Sequence, residues 1–226
     1  MDEEKRSNYA MLRGVMSEKP RYSHESRGEA FYQFSLDVAR LSGAVDTIHV
    51  IARDKLLDAL VVDGAETKLC VAGELRSFNN KSGVGPKLVI TVFARELWLD
   101  GGADENIIEL SGTLCKAPTY RVTPMGREIC DLMLAVNRRY GRSDYLPCIS
   151  WGLSAREASG WDVGTPVRLS GRIQSRKYTK NIDGEAVEKV AYEVSVIEIG
   201  RTDAEQARHA GKRVAFAGDV AGSDCV

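Results

Sequence analysis

The chain has 226 residues, with 31 Lys+Arg against 32 Asp+Glu, 43% hydrophobic residues and five cysteines. That length sets a prior of one or two domains. There is no run of 18 apolar residues, and the charged opening MDEEKRSNYA lacks the apolar segment of a secretion signal. Neither a membrane span nor a signal peptide is therefore expected, and a cytoplasmic location is.

The expected elements begin with a strand over 8–17. Phe34, Leu36 and Val38 share one face of a second strand. Residues 53–62 read as a helix, Lys68–Arg76 as a fourth strand and Lys87–Arg95 as a fifth, after a Gly-rich loop at 80–86. LDGGADE (99–105) is a short linker. Asn106–Cys115 then alternates, with Ile108, Leu110 and Leu114 on one face, and Gly112 in its middle suggests a bulge or sharp bend. Pro118 and TPMG (123–126) mark a turn. Cys130, Leu132, Leu134 and Val136 share a face of the next strand, and Tyr145–Trp151 is a third. Ser154–Ser159 reads as a short helix with Ser154 as N-cap, Glu157 three residues on and Gly160 at its end. Val167–Tyr178 and Lys189–Ile199 are the last strands, joined by an Asp183-Gly184 hairpin signal. A helical-looking run, Asp203–Arg213, lies in the tail.

These two series are one series repeated at an offset of 98 residues. Gly14 matches Gly112, Pro20 matches Pro118, Tyr22 matches Tyr120 and Gly28 matches Gly126. The register continues without a gap through Leu36/Leu134, Val38/Val136, Arg40/Arg138, Asp46/Asp144, Gly73/Gly171 and Ser77/Ser175. Glycine, proline and alternating apolar positions set backbone shape and strand pattern, so their ordered recurrence means two copies of one small domain. Five strands with one short helix between the third and fourth is the order of the OB fold, a small Greek-key barrel. The expected class is all-β with short helices: two tandem five-stranded OB-fold Greek-key barrels at 1–98 and 106–200, the linker 99–105, and a tail at 201–226. Residues 1–105 carry a net charge of -3 and 106–200 a net of +2, which makes the second copy the better candidate for a polyanion.

Cys70, Cys115, Cys130, Cys148 and Cys225 form no C-x-x-C pair, and buried thiols are expected rather than disulfides or metal ligands. The three histidines, His24, His49 and His209, have no metal-ligand spacing, and His24 reads as a surface loop residue. No P-loop, G-x-S-x-G or paired-carboxylate motif is present, so neither an enzyme nor a cofactor is expected.

Binding of single strands requires a basic groove for the backbone and flat rings for base stacking. Arg168, Arg172, Arg176 and Tyr178 share the parity opposite to the core positions Val167, Leu169, Gly171 and Ile173, so they project from one face. Lys177 belongs to the same candidate set. Arg pairing with Glu193 or Glu198 is the alternative. Tyr145 and Trp151 also share parity, about 20 Å apart at about 3.3 Å per residue, with Leu146 and Cys148 facing the core.

The second copy resembles the bacterial single-stranded DNA-binding protein family in NIIELSGTLCKAPTYRVTPMG (106–126), LMLAVNRRYGRSDYLPCISWG (132–152) and GTPVRLSGRIQSRKYT (164–179). The first copy resembles it in frame, through GVMSEKPRY (14–22), FSLDVAR (34–40) and GELRS (73–77). The resemblance implies base stacking on Tyr140, Tyr145, Trp151 and Tyr178, and a phosphate-gripping hairpin made by Arg138, Arg139 and Arg142. It also implies single-stranded DNA as the partner, work in replication, recombination and repair, and assembly to four barrels, here by a homodimer. The opening strands are then candidate contact edges. In the first copy all four stacking positions are non-aromatic: Ser42, Thr47, Arg53 and Asn80. Phe78 is a partial substitute, and Arg40, Arg53 and Arg76 keep some charge, so weak strand binding and a role in assembly both stay open. The tail, AFAGDVAGSDCV, departs from the acidic, aromatic-ended tip with which the family recruits replication and repair proteins. An OB-fold protein-interaction module of the primosome-adaptor kind and an RNA-binding protein remain alternatives, because stacking does not read the 2′-OH.

Overall fold

The computed structural model describes residues 7–58, 60, 67–80, 86–138, 141–182 and 185–202. The chain runs β1 (Asn8–Met16), β2 (Arg21–Ser26), β3 (Glu29–Ala39), β4 (Val45–Arg53), α1 (Asp54–Asp58), β5 (Lys68–Asn79) and β6 (Leu88–Leu99). It continues through β7 (Glu105–Leu114), β8 (Thr119–Val122), β9 (Glu128–Asn137), β10 (Ser143–Trp151), α2 (Gly152–Ala158), β11 (Pro166–Ile182) and β12 (Glu185–Arg201). The strands form one sheet in the order β2-β3-β4-β6-β5-β1-β7-β11-β12-β10-β9-β8. Each half closes on itself, through β1–β3 and β7–β9, and each contains one parallel pair, β4–β6 and β10–β12. The result is two OB-fold barrels joined edge to edge.

Repeat glycines explain the closure. A Cβ on Gly14 would lie 2.3 Å from the Asp37 carbonyl oxygen, and one on Gly112 would lie 2.4 Å from that of Ala135. Only glycine lets the first strand of each barrel bend this close to that barrel's own third strand, β3 or β9. Leu12, Met16, Phe34, Leu36, Ile48 and Leu75 fill the first barrel, and Ile108, Leu110, Leu114, Leu134, Leu146 and Ile173 the second. Burying each such side chain contributes about 1.5–3 kcal/mol. Trp161 and Ala155, on and after α2, close the end of the second core.

The seam between the barrels is pseudo-symmetric. In the β1–β7 ladder Asn8 faces Leu110, Ala10 faces Ile108 and Leu12 faces Asn106. Adding 98 to one member of each pair and subtracting it from the other returns the same set, so a local two-fold passes through Ala10 and Ile108. Two buried carboxylates reinforce the seam. Asp46 accepts bonds from Arg40 Nε at 2.6 Å and from the Ser175 backbone N–H at 2.8 Å. Its repeat partner Asp144 is held by Arg138 and the Ser77 backbone N–H, while Arg138 Nη2 donates to the Ser77 carbonyl at 3.1 Å. Burial would raise the Asp46 carboxyl, but Arg40 and Ser175 hold it below its usual value. Asn8 and Asn106, a further matched pair, bond the backbone of Leu75 and Ile173 by both amide groups.

Several sequence expectations are corrected. The opening strands pair with each other inside one chain, so these edges are not available to a second copy. The helix expected at 53–62 is described only as Asp54–Asp58. Ser154 lies inside α2, whose N-cap is Trp151 without a side-chain cap bond. Gly152, at φ 56°, makes the sharp strand-to-helix turn in its place. Gly160 has no left-handed φ and follows the C-cap Ser159. His24 lies in β2, not in a loop. The expected strands also omit β2 and β8, which form hairpins through Gly28 and Gly126, both at φ 75°. Cys70, Cys130 and Cys148 are buried and Cys115 is half-buried, all as free thiols. The Asp183-Gly184 turn, most of the 80–86 loop, His209, Cys225 and the run Asp203–Arg213 lie outside the described residues.

Candidate nucleic-acid interface

The outer face of the second barrel is set by strand register. Thr119 faces Asp131, Asp131 faces Ile149, Ile149 faces Ser195 and Ser195 faces Arg172, which makes one row across β8, β9, β10, β12 and β11. Period-two alternation from that row puts Tyr145, Pro147 and Trp151 on the same side of β10, and Arg176 and Tyr178 on the same side of β11. Tyr145 is 52% exposed and Trp151 is 37% exposed, the values of rings with one wet face. The Trp151 indole N–H donates to Ser195 Oγ at 3.2 Å, which ties the ring to the neighbouring strand β12. Leu146 and Cys148, on the opposite parity, are buried in the core.

Along β11 the Arg176 guanidinium carbon lies 5.7 Å from the Tyr178 ring centroid, a cation–π pair that orients both groups. Arg176 Nε is 3.7 Å from Glu193 Oε1, and Glu193 is itself bonded by Gln174. Lys177 pairs with the exposed Glu188 at 3.1 Å. Arg168 stands at the end of the face nearest β7, 3.8 Å from Glu109. The exposed Lys177–Glu188 and Arg168–Glu109 pairs are worth about 0–1 kcal/mol, so a phosphate can displace the carboxylate there. Arg142 is exposed at the start of β10. Arg139 and Tyr140 lie outside the described residues.

Arg138 departs from its expected role. Its guanidinium is turned into the seam, on Asp144 and the Ser77 carbonyl, because the buried carboxylate requires a cation. It is a structural arginine. Conversely, sequence reasoning missed Arg121. It faces Ile129, which faces Trp151, and it bonds Asp131 at 2.6 and 3.1 Å. The bond to Asp131 raises its pKa, so it stays cationic. The TPMG turn, which predicts a hairpin, was the available signal for the strand that carries it.

A half-open aromatic row flanked by arginines on one face of an OB barrel defines a class of surface suited to flat, anionic polymers. The model of the single-strand binding protein family matches residues 105–201. A relative from Listeria monocytogenes serovar 1/2a, "Single-stranded DNA-binding protein 2", is 32% identical over 112 residues, 45% of this chain and 69% of the relative. Its namesake from Listeria innocua serovar 6a is 35% identical over 103 residues, 41% of this chain, and the chain spans 64% of that relative's length. The crystal structure of the wild-type single-stranded DNA binding protein from Thermus aquaticus superposes with a TM-score of 0.70 at 21% identity, over 87% of this chain and 93% of that one. That likeness extends the shared fold across both barrels. The chain belongs to the single-strand binding protein family.

Proposed function

We propose that this chain binds single-stranded DNA without sequence preference and shields it during replication, recombination and repair. The observation that carries the reading is the shared face of Trp151, Tyr145, Arg172, Arg176 and Tyr178, three rings and two guanidiniums on one sheet surface. Base–aromatic stacking is sequence-tolerant because every base has a π-face. Tyr140, Arg139 and Arg142 complete the set from the β9–β10 hairpin, with Arg168 and Lys177 at its margins. The family model that matches residues 105–201 and the names of the relatives support the same polymer.

The reading treats 1–98 and 106–200 as the two barrels, 99–105 as their linker and 201–226 as a tail, and the start of the family match at residue 105 supports that division. The protein acts by binding rather than catalysis, without a cofactor, in the cytoplasm. No helix among the described residues is long and apolar enough to cross a membrane. Two chains together present four barrels to one strand, and replication or repair proteins are its partners. Titration of the full chain with oligo-dT, oligo-rU and a duplex of equal length tests the function. Saturable binding to dT well above the duplex is expected. Equal affinity for all three contradicts it, and a clear preference for rU makes it an RNA-binding protein.

A further inference from the structure

The first barrel lacks a ring at the four positions that match Tyr140, Tyr145, Trp151 and Tyr178, yet its outer face is not empty. The parallel pair β4–β6 aligns Ile51 with Phe93, as β10–β12 aligns Ile149 with Ser195. Phe93 therefore occupies the site of Ser195, and Arg53 occupies the site of Trp151. In the second barrel Trp151 from β10 lies over Ser195 from β12. In the first barrel the two kinds of group are exchanged: the ring comes from β6 and the polar partner from β4. The Arg53 guanidinium lies 6.0 Å from the Phe93 centroid, that of Arg76 5.8 Å and that of Arg95 4.9 Å. The ring continues into Phe31 at 5.8 Å, and Phe31 stacks on the exposed His24 ring at 4.9 Å and 8°.

This cluster reaches the seam. Arg76 Nη1 is also 3.2 Å from Asp144, and the backbone N–H of the next residue, Tyr145, donates to Ser77 Oγ at 2.8 Å. One arginine thus links the Phe93 cluster to the strand end that presents Tyr145. Arg53 and Arg95 are 42% and 41% exposed; Glu29, the partner of Arg53, is exposed, and Glu74, half-buried, is shared between Arg95 and Arg76. A guanidinium held against a ring by a carboxylate that reaches solvent is placed to exchange that carboxylate for a phosphate.

We infer that the first barrel carries its own contact surface for single-stranded nucleic acid, made by Phe93 with Arg53, Arg76 and Arg95, and that a strand held by the second barrel crosses the seam beside Arg76 to reach it. The inference rests on the proposed strand binding by the second barrel. The occupant is a polyanion with flat bases because the cluster combines cations with rings. A neutral protein partner would leave the guanidiniums unpaired, and an acidic segment without flat groups would leave the ring unused.

The test compares the full chain with its Phe93→Leu and Arg95→Gln variants. The probes are an oligo-dT of about 10 nucleotides, within the reach of one barrel, and one of about 30, which spans both. Both variants are expected to weaken binding of the long probe about tenfold, in the range of one lost base–aromatic stack, and to leave the short probe unchanged. In the unmodified chain, 5-iodouracil placed along the long probe is expected to crosslink to the peptide that contains Phe93. Unchanged affinity for the long probe in Arg95→Gln, together with crosslinks confined to 105–201, overturns the inference and leaves the cluster as internal packing of the first barrel. The crosslinking arm decides the matter even where Phe93→Leu destabilises the fold. A wild-type chain that binds neither probe overturns the proposed function itself, a different result from a chain that binds both probes equally.

Discussion

Trp151 is the residue on which the proposed binding face turns. Its indole is tethered to Ser195 on one edge and open on a face, so a stacked base gains contact at little ordering cost. Trp151→Ala is expected to weaken oligo-dT binding by about 1–3 kcal/mol, read by equilibrium titration. An unchanged constant would mean that the strand lies elsewhere. On the proposed face, Arg172 and Arg176 would act through charge. Affinity for single strands should fall with salt at a log–log slope of about -0.7 for each phosphate contacted. Replacing both by Ala should flatten that slope by one to two contacts, and an unaltered slope would make them ordinary surface residues. Strand parity alone placed Tyr145, Trp151, Arg172, Arg176 and Tyr178 on the outer face, because period two leaves no freedom once the core positions are known. Parity could not place Arg138. The choice between solvent and the seam depends on Asp144, which the sequence does not show to be buried. Nor could it find Phe93, since the shorter β5–β6 hairpin, with strands that end sooner than those of β11–β12, moves the offset from 98 to 102 beyond β5 and hides the match to Ser195.

At the scale of elements, the repeat showed the two barrels through glycines and alternating apolar residues, and the matched Arg40/Arg138, Asp46/Asp144 and Ser77/Ser175 find their reason in the seam. Each aspartate crosses to the backbone of the other barrel's serine. Asp46→Asn should cost about 1.5–3 kcal/mol, the worth of hydrogen bonds to a charged group, in a denaturant melt of the full chain. The folded carboxyl sits below its usual value of 3.8, so its contribution is complete above that value and is lost as pH falls through the folded value. Wild type should therefore lose seam stability in acid, and Asp46→Asn should lose less over the same interval. Equal acid sensitivity would remove Asp46 from the account. The short helices were the least legible elements. Ser154 and Glu157 satisfy a capping pattern, yet Gly152 starts α2 one turn early because the strand must leave the sheet at Trp151. The short outer strands β2 and β8 carry mostly exposed side chains and so give no apolar alternation to read.

At the scale of the molecule, the edge-to-edge join makes one chain resemble a two-fold pair of barrels, with the opening strands consumed inside it. The proposed assembly of four barrels from two chains would then use another surface. Light scattering at micromolar concentration should give a mass near twice the 24.8 kDa of one chain. A mass near 24.8 kDa would show that two barrels act alone, and a mass near four chains that the repeat adds barrels rather than replacing subunits. The account depends most on the strand lying across Trp151, and the three tryptophans allow that to be measured in the intact protein. Trp161 is buried beneath α2, and Trp98 is half-buried at the end of β6. Titration with poly-dT should quench tryptophan emission in the wild type, and Trp151→Phe should abolish most of that quench while retaining binding. A quench that survives intact in Trp151→Phe would contradict the placement of the strand on this face.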